Sequence, residues 1–250
     1  MDDCKKRREF LKSTLWEMRS DMPTDQKKGL PRPPFEKPFD KNGRIIPLIP
    51  VGDIQVGDMP LKEVISKRRS RRKFTDDPIT LEELSFMLWS TQGIREVYRN
   101  MVTFRTVPSA GSRHPFETYL AVHNVEGLEP ALYRYLPLEH SLLFIKKIEN
   151  MKDKIVEAAL NQHFVGYCAV TFIWTAIPYR TEWRYSLTSH KVIAIDIGHV
   201  CQNLYLASEA LGAGTCAIAA YSQKKMDEFL GVDGEEEFTI YVAPVGKIAE

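Results

Sequence analysis

Apolar positions recur at helical spacing in several stretches of the chain. One stretch, with apolar residues at i, i+3 and i+4, predicts a short helix over residues 61–68. A capping box with Thr80 at the N-cap predicts the start of a second helix. The longest pattern runs from Ser189 to about Leu211, and Gly212 is placed to end that helix. Because this helix is apolar over a wide arc, it should be buried against more than one neighbour.

Strand patterns fill much of the remaining chain. Short runs rich in β-branched and aromatic residues, bounded by turn residues or charges, predict five strands. They cover residues 118–123, 131–135, 142–146, 167–176 and 238–245. A charged helix is predicted within residues 1–22, and Ser222 should cap a last helix that ends near Leu230. Helices around a mostly antiparallel central sheet make the predicted fold class α+β.

The region between residues 23 and 60 contains eight prolines, so it cannot be helical. We expect it to run extended over a surface. The predicted division is therefore residues 1–59, an N-terminal helix with a proline-rich extended arm, and residues 60–250, a compact domain. We expect the arm to embrace a partner subunit.

Composition excludes several classes of protein. Hydrophobic residues make up 44% of the chain and charged residues 27%, which is ordinary for a globular protein. The net charge of +1 argues against a dedicated nucleic-acid binder. No stretch has the length of a membrane span or of a signal-peptide core, so no membrane partner is expected. The four cysteines form no C-x-x-C pair, which predicts a cytoplasmic protein without a zinc site.

One local concentration of charge stands out at the end of the first predicted helix. Residues 68–74 contain five cations and a serine. Guanidinium groups hold phosphate oxygens through paired hydrogen bonds, and a serine hydroxyl can add another donor. The segment therefore predicts a clamp for a phosphate ester, with a solvated basic surface as the alternative.

Two segments of small residues offer flat surfaces. The first, residues 108–115, is bracketed by prolines, and the second, residues 212–220, follows the long helix. Either could lie against a flat ring, although an ordinary loop and tight helix packing are the alternatives. Together, the predicted phosphate clamp and the two flat segments of small residues suit a flat cofactor that bears a phosphate. The chain has neither a G-x-G-x-x-G fingerprint nor a P-loop lysine motif.

Motifs in a fixed order resemble the FMN-dependent nitroreductase superfamily, and most closely its SagB/ThcOx-type branch, whose founding members oxidise azolines in peptide natural products. They are Arg-Arg-Ser-x-Arg-x-Phe at 68–74, Ile-Thr-Leu-Glu-Glu-Leu at 79–84, Leu-Trp-Ser-Thr-Gln-Gly-Ile at 88–94, Arg-Thr-Val-Pro-Ser-Ala-Gly at 105–111, and the segments 196–207, 212–221 and 241–246. The resemblance covers about residues 30–248. It implies a nitroreductase-like fold and an intertwined homodimer with two FMN molecules at the interface, each touched by both chains.

The resemblance also implies roles for individual residues. Arg68, Arg69, Ser70 and Arg72 would hold the FMN phosphate and ribityl chain, whereas Arg71 falls on a variable position and should be solvated. Residues along the isoalloxazine ring would be Pro108, Ser109, Ala110, Gly111 and Ser112. Ala219 and Ala220 would lie by the flavin N5, and Lys247 could supply a late cation to the phosphate.

The implied activity is an NAD(P)H oxidoreductase. Hydride would pass from NAD(P)H through flavin N5 to a small electron-poor acceptor such as a nitroarene or quinone, with no catalytic side chain. One alternative is a flavin-dependent dehydrogenase of a biosynthetic intermediate. Azoline oxidation is disfavoured, because azoline-oxidising members carry a Lys-Tyr pair that this chain lacks. A flavin-binding protein with little turnover and a nucleic-acid-binding module are further alternatives.

Several polar and aromatic residues near the long helix have two interpretations. Trp183 and Tyr185 are candidates for a substrate pocket, with plain packing as the alternative. Asp196, His199 and Asn203 share a helix face, which favours a polar network over a metal site because no third strong ligand is evident. Cys216 lacks a resolving partner and is expected to be a small buried residue.

Overall fold

A computed structural model describes residues 2–249 of the chain. Its α-helices are α1 (Asp2–Arg7), α2 (Leu61–Lys67), α3 (Leu81–Gln92), α4 (Met151–Ala158), α5 (Tyr179–Tyr185), α6 (Ser189–Ala210) and α7 (Gln223–Leu230). Its strands are β1 (Ile45–Pro47), β2 (Ile94–Tyr98), β3 (Val102–Arg105), β4 (Phe116–Val122), β5 (Ala131–Leu136), β6 (Ser141–Lys146), β7 (Val170–Ala176), β8 (Ala213–Thr215) and β9 (Phe238–Lys247). The predicted α+β class is confirmed.

The main sheet has seven strands in the order β1-β6-β5-β4-β7-β9-β8, and every neighbouring pair is antiparallel. Strands β4 and β7 are buried along their whole length. One hydrophobic cluster joins one face of the sheet to residues of α3 and α6, and a second joins the other face to α4 and α7. The sheet therefore carries helices on both faces.

The sequence located most of the regular elements. All five predicted strands are present, although the one expected from residue 167 begins at Val170. The capping box at Thr80 is formed, with its hydroxyl accepting from the Glu83 amide. The long helix ends at Ala210, and Gly212 has a φ of 64°. The elements that the sequence reading missed are α4, α5, β1, β8 and the β2–β3 hairpin.

The N-terminal region lies on its own chain. Its predicted single helix is instead α1 followed by two 3₁₀ turns, Arg8–Leu11 and Thr14–Asp21. Further along, Lys37 donates its amide to Glu117 at 2.7 Å. Strand β1, inside the predicted arm, forms the edge of the main sheet. These contacts of the arm are with its own domain; the expected embrace of a partner subunit and the boundary at residue 60 both stay predictions.

Ionic contacts hold the arm on the sheet. The Glu117 carboxylate, which is 2% exposed, accepts from Arg180 at 2.5 Å. Its other oxygen lies 3.8 Å from Nε of Arg134. Arg134 in turn donates to the carbonyl of Lys37 at 2.8 Å. One buried carboxylate therefore connects the arm, β4, β5 and α5.

Candidate functional site

The basic run is an extended segment that leaves α2 and follows the sheet edge. Ser70 forms a parallel bridge with Thr215 of β8, and the Arg71 amide donates to the Thr215 carbonyl at 2.9 Å. Five residues after Ser70, the Thr75 amide donates to the Lys247 carbonyl at 2.9 Å. Backbone hydrogen bonds thus fix the path of the segment and leave its side chains available.

The guanidinium groups of this run are not neutralised. Arg68 lies over the ring of Tyr205, with its Cζ 5.2 Å from the ring centre. Arg72 lies 5.9 Å from the ring centre of Phe164. Arg69 donates to backbone carbonyls, including that of Ser66 at 3.0 Å. Across the described chain, none of these arginines has a carboxylate within the 4.0 Å of an ion pair. Unpaired cations held by aromatic rings suit an anionic ligand.

The sequence predicted that Arg71 is solvated, but the structure places its side chain against the sheet. Its side chain is half-buried, and its Nε is buried without a hydrogen-bond partner. It packs directly over Gly214, where an added Cβ would lie 2.5 Å from the Arg71 Cγ. The position varies in the resembled family, but here the absence of a side chain at Gly214 lets Arg71 lie flat on the sheet.

Tyr205 is a site residue that the sequence reading missed. Its hydroxyl lies 3.1 Å from the Ser70 Oγ and accepts from the Ala217 amide at 2.8 Å. The sequence signal for Tyr205 was its position on the predicted long helix, next to the apolar Leu204, which the structure shows to be fully buried. Tyr205 therefore joins the clamp to the second small-residue segment.

The second small-residue segment lies beside the basic run. Ala219 and Ala220 are exposed, and the Ala220 carbonyl accepts from Gln162 at 2.8 Å. Gln162 lies two residues before Phe164, over which Arg72 sits. The structure thus places the clamp and the Ala219–Ala220 backbone on one surface.

The first small-residue segment is held by α6. The Asp196 carboxylate, 4% exposed, accepts from the Ser109 hydroxyl at 2.7 Å and from the Ala110 amide at 2.9 Å. Burial raises the pKa of Asp196. Gly111 and Ser112 have φ angles of 58° and 53°, a left-handed turn that is costly for serine. The Asp196 contacts stabilise this turn, whereas Asn203 donates to the Ser90 carbonyl at 2.8 Å and His199 is exposed, so the three residues do not form the predicted network with one another.

The two halves of the predicted site are apart within one chain. Asp196 holds the loop of Ser109, whereas Tyr205 holds the clamp at Ser70. At a rise of about 1.5 Å per residue, the nine positions between Asp196 and Tyr205 separate these points by roughly 14 Å along α6. One chain therefore holds the two predicted halves of the site, called half-sites below, at separate points along the same helix.

The loop of Ser109 borders a cleft of about 360 Å³ that also contains Arg95, Arg105 and His114. His114 is buried, and burial together with the charge of Arg105 lowers its pKa to about 2. A neutral imidazole among arginines leaves the cleft positively charged.

The remaining predicted residues are engaged elsewhere. Trp183 and Tyr185 are 8% exposed. Trp183 donates to the Leu30 carbonyl of the arm at 3.0 Å, and Tyr185 packs against Trp16 of the N-terminal region, so residues before the compact domain cover both rings. Lys247 forms an ion pair with Glu83 at the start of α3. Within residues 2–249 no group of three potential ligands could hold a metal ion.

Comparison with known proteins identifies the family. The nitroreductase family pattern matches residues 65–247. The chain belongs to the nitroreductase family. A protein of Methanocaldococcus jannaschii that is named as a nitroreductase, MJ1384, is 34% identical to this chain over 195 residues. These residues are 78% of this chain and 94% of that protein. The trifolitoxin-processing protein TfxB of Rhizobium leguminosarum bv. trifolii is 32% identical over 112 residues, 43% of this chain and 30% of TfxB.

Solved structures agree with this fold. A structure from Ralstonia eutropha, named as a nitroreductase, has a TM-score of 0.68 at 24% identity and covers 88% of this chain and 95% of its own. A chain of the E. coli microcin synthetase McbBCD complex, with truncated pro-MccB17 bound, has a TM-score of 0.63 at 17% identity and covers 81% of this chain and 78% of its own. The nitroreductase-like fold is confirmed, and the neighbours are consistent with the SagB-like branch. Among the described helices, none is long and apolar enough to span a bilayer.

Proposed function

We propose that this nitroreductase-family protein is an FMN-dependent oxidoreductase that uses NAD(P)H to reduce a small electron-poor acceptor, such as a nitroarene or quinone. Family membership supports the oxidoreductase class. The observation that carries the cofactor assignment is the unpaired basic run on the surface shared with Ala219 and Ala220. When bound, FMN would supply the redox chemistry by taking two electrons from NAD(P)H and passing them to the acceptor.

The residues present fit a phosphate ester. Arg68 and Arg72 have no carboxylate to compete with the ligand, and Ser70 presents a hydroxyl between them. The buried Arg71 Nε without a partner adds a donor that nothing else satisfies. Charged hydrogen bonds of this kind are the strong ones in protein–phosphate recognition. Lys247 is occupied by Glu83, so the proposal does not use it.

The ring end of the cofactor requires backbone rather than side-chain contacts. Ala219 and Ala220 are exposed and place no bulky side chain over their backbone, although the Ala220 carbonyl already accepts from Gln162. The loop at Ser109 offers a second surface of this kind, fixed by Asp196. In this proposal the protein binds and orients the flavin and the acceptor, and no side chain transfers a proton.

Homodimer formation would bring the two half-sites together. The loop at Ser109 and the clamp at Ser70 contact α6 at points about 14 Å apart, as nine residues at about 1.5 Å require. Near the Asp196 end, α6 exposes Ile195 (47% exposed) and Gly198, whose Cβ position has no neighbour within 4 Å; we refer to these two residues as the open stripe. A second copy packed on this stripe would place its own Ser109 loop near the first chain's clamp.

A second candidate is dehydrogenation of a biosynthetic intermediate, favoured by the likeness to TfxB and to the McbBCD complex. The covered rings of Trp183 and Tyr185, and the missing Lys-Tyr pair, favour the reductase instead. Turnover of a nitroarene with NAD(P)H, compared with oxidation of a peptide azoline under oxygen, separates the two.

The clamp is tested by Arg72→Ala, with Arg99→Ala as the matched control. Both arginines are exposed and lie over an aromatic ring, but Arg99 is on the β2–β3 turn. Loss of a charged hydrogen bond costs about 1.5–3 kcal/mol, so FMN should bind Arg72→Ala roughly tenfold or more weakly. Equal FMN affinity in the two variants, measured by flavin fluorescence quenching, would remove Arg72 from the clamp.

A further inference from the structure

Four arginines that the proposed flavin site does not use gather behind the Ser109 loop. Arg19 comes from the N-terminal region, Arg32 from the arm, Arg113 from the end of the loop and Arg184 from α5. We refer to Arg19, Arg32, Arg113 and Arg184 as the arginine cluster. Gly111 ties the cluster to the loop, because an added Cβ there would lie 2.8 Å from the Arg184 Nε.

Aromatic rings hold the cluster in place. Arg19 lies 5.2 Å and Arg184 5.7 Å from the ring centre of Tyr185, so both guanidinium groups flank one ring. Arg19 also lies 5.3 Å from the ring centre of Trp16. Arg113 is 5.3 Å from the ring centre of Trp183. The two aromatics predicted for a substrate pocket therefore support cations instead.

No carboxylate neutralises the cluster. Among the residues that the structure describes, none of the four arginines makes an ion pair within 4.0 Å. Arg113 is 8% exposed, and burial together with the charges of Arg184 and Arg32 lowers its pKa to about 10. The Arg184 Nε is buried without a hydrogen-bond partner. Like charges brought together without a counter-ion oppose folding unless an anion binds.

Space for an anion adjoins two of the four arginines, Arg19 and Arg184. A cleft of about 590 Å³ is lined by Trp16, Arg19 and Arg184, with Lys27 and Gln26 on the arm. Glu17 is the one carboxylate on its wall. The volume suits a small organic molecule rather than a single ion.

We propose that the arginine cluster binds the anionic group, a carboxylate or phosphate, of a substrate whose reactive part lies against the Ser109 loop. This inference deepens the proposed function and rests on it for the word substrate, but anion binding at the cluster does not require flavin. The anion can belong to the electron acceptor or to NADPH, and the kinetic experiment separates these two sources.

Anion binding is measured first, on the full chain without added flavin. Calorimetric titration with 4-nitrobenzoate should show binding that is about tenfold weaker in Arg184→Gln and Arg19→Gln, the loss expected for one charged hydrogen bond. Arg99→Gln, a change at an exposed arginine outside both sites, should bind as the wild type does. Because Arg19 is exposed, its variant decides the outcome even if Arg184→Gln fails to fold. Unchanged affinity in Arg19→Gln, or loss of binding in Arg72→Ala alone, would overturn the proposal.

Kinetics of the flavin-loaded enzyme then identify the source of the anion. If the acceptor carries it, Arg184→Gln should raise the KM for 4-nitrobenzoate about tenfold and leave that for neutral methyl 4-nitrobenzoate unchanged. If NADPH carries it, the KM for NADPH should rise instead. Normal flavin binding without either change would contradict the substrate role, whereas failure to bind flavin with intact 4-nitrobenzoate binding would contradict only the proposed function.

Discussion

Removing the buried carboxylate of Glu117 should destabilise the protein more than removing any exposed acid. Glu117 is 2% exposed, and its partners Arg180 and Arg134 are 4% and 3% exposed. Its Oε1 accepts both from Arg180 at 2.5 Å and from the Lys37 amide at 2.7 Å. In Glu117→Ala both guanidinium groups would remain buried without a counter-charge.

The magnitude follows from that burial. Breaking a buried ion pair by deleting one partner costs about 3–5 kcal/mol, because the remaining charge stays out of water. Nε of Arg134 and one terminal nitrogen of Arg180 already lack hydrogen-bond partners, so no other acceptor compensates. Against a total stability of about 5–15 kcal/mol, the loss would be a large share.

Urea unfolding followed by tryptophan fluorescence measures the effect. The control is Glu129→Ala, since Glu129 pairs with Arg44 and Lys147 near the surface. Exposed pairs contribute about 0–1 kcal/mol, so the control should change stability little. A loss below about 1 kcal/mol for Glu117→Ala would refute the role of Glu117 as the neutralising group of Arg180 and Arg134.

Three further predictions follow from local geometry. Gly214→Ala would place a Cβ 2.5 Å from the Arg71 Cγ, so FMN affinity should fall and the free energy of unfolding should drop by about 1–3 kcal/mol. The control Gly52→Ala, whose added Cβ has no neighbour within 4 Å, should change neither quantity in FMN titration and urea unfolding. Burial, with Glu139 and Glu117 nearby, raises the pKa of Glu36 from 4.5 to about 7, so the folded state binds the extra proton and stability should fall as pH rises from 4.5 to 7. Unfolding at pH 5.5 and pH 7.5 should show this fall weakened in Glu36→Gln, and an equal fall would count against it. Thr80→Ala should cost about 1 kcal/mol in thermal unfolding, and an unchanged midpoint would contradict the capping role.

Local chemistry explains what the sequence could predict. Thr80 satisfies helix donors within its own turn, and the apolar arc of α6 reflects burial that a periodicity detects. The basic run could also be recognised from the sequence, because its cations are contiguous at residues 68–73, while its role as a phosphate clamp stays a prediction. In each case the signal and its cause lie within a few residues of each other.

Long-range pairing explains most of what the sequence could not predict. Strand β8 has only three residues and is defined by its pairing with β9. Arg71 is half-buried because its side chain packs on Gly214, 143 positions further along the chain. The hydrogen bond from Ser109 to Asp196 joins residues that are 87 positions apart in the sequence. Proline spacing predicts that the arm is extended, but it does not predict that the arm lies on its own sheet.

The central claim, that this chain binds FMN at its basic run, is tested most directly by the absorbance spectrum of the purified protein, followed by heat release and chromatography of any chromophore. The account predicts flavin absorption bands, release of FMN, and a loss of both in Arg72→Ala but not in Arg99→Ala. A colourless protein that also fails to take up added FMN would contradict the account.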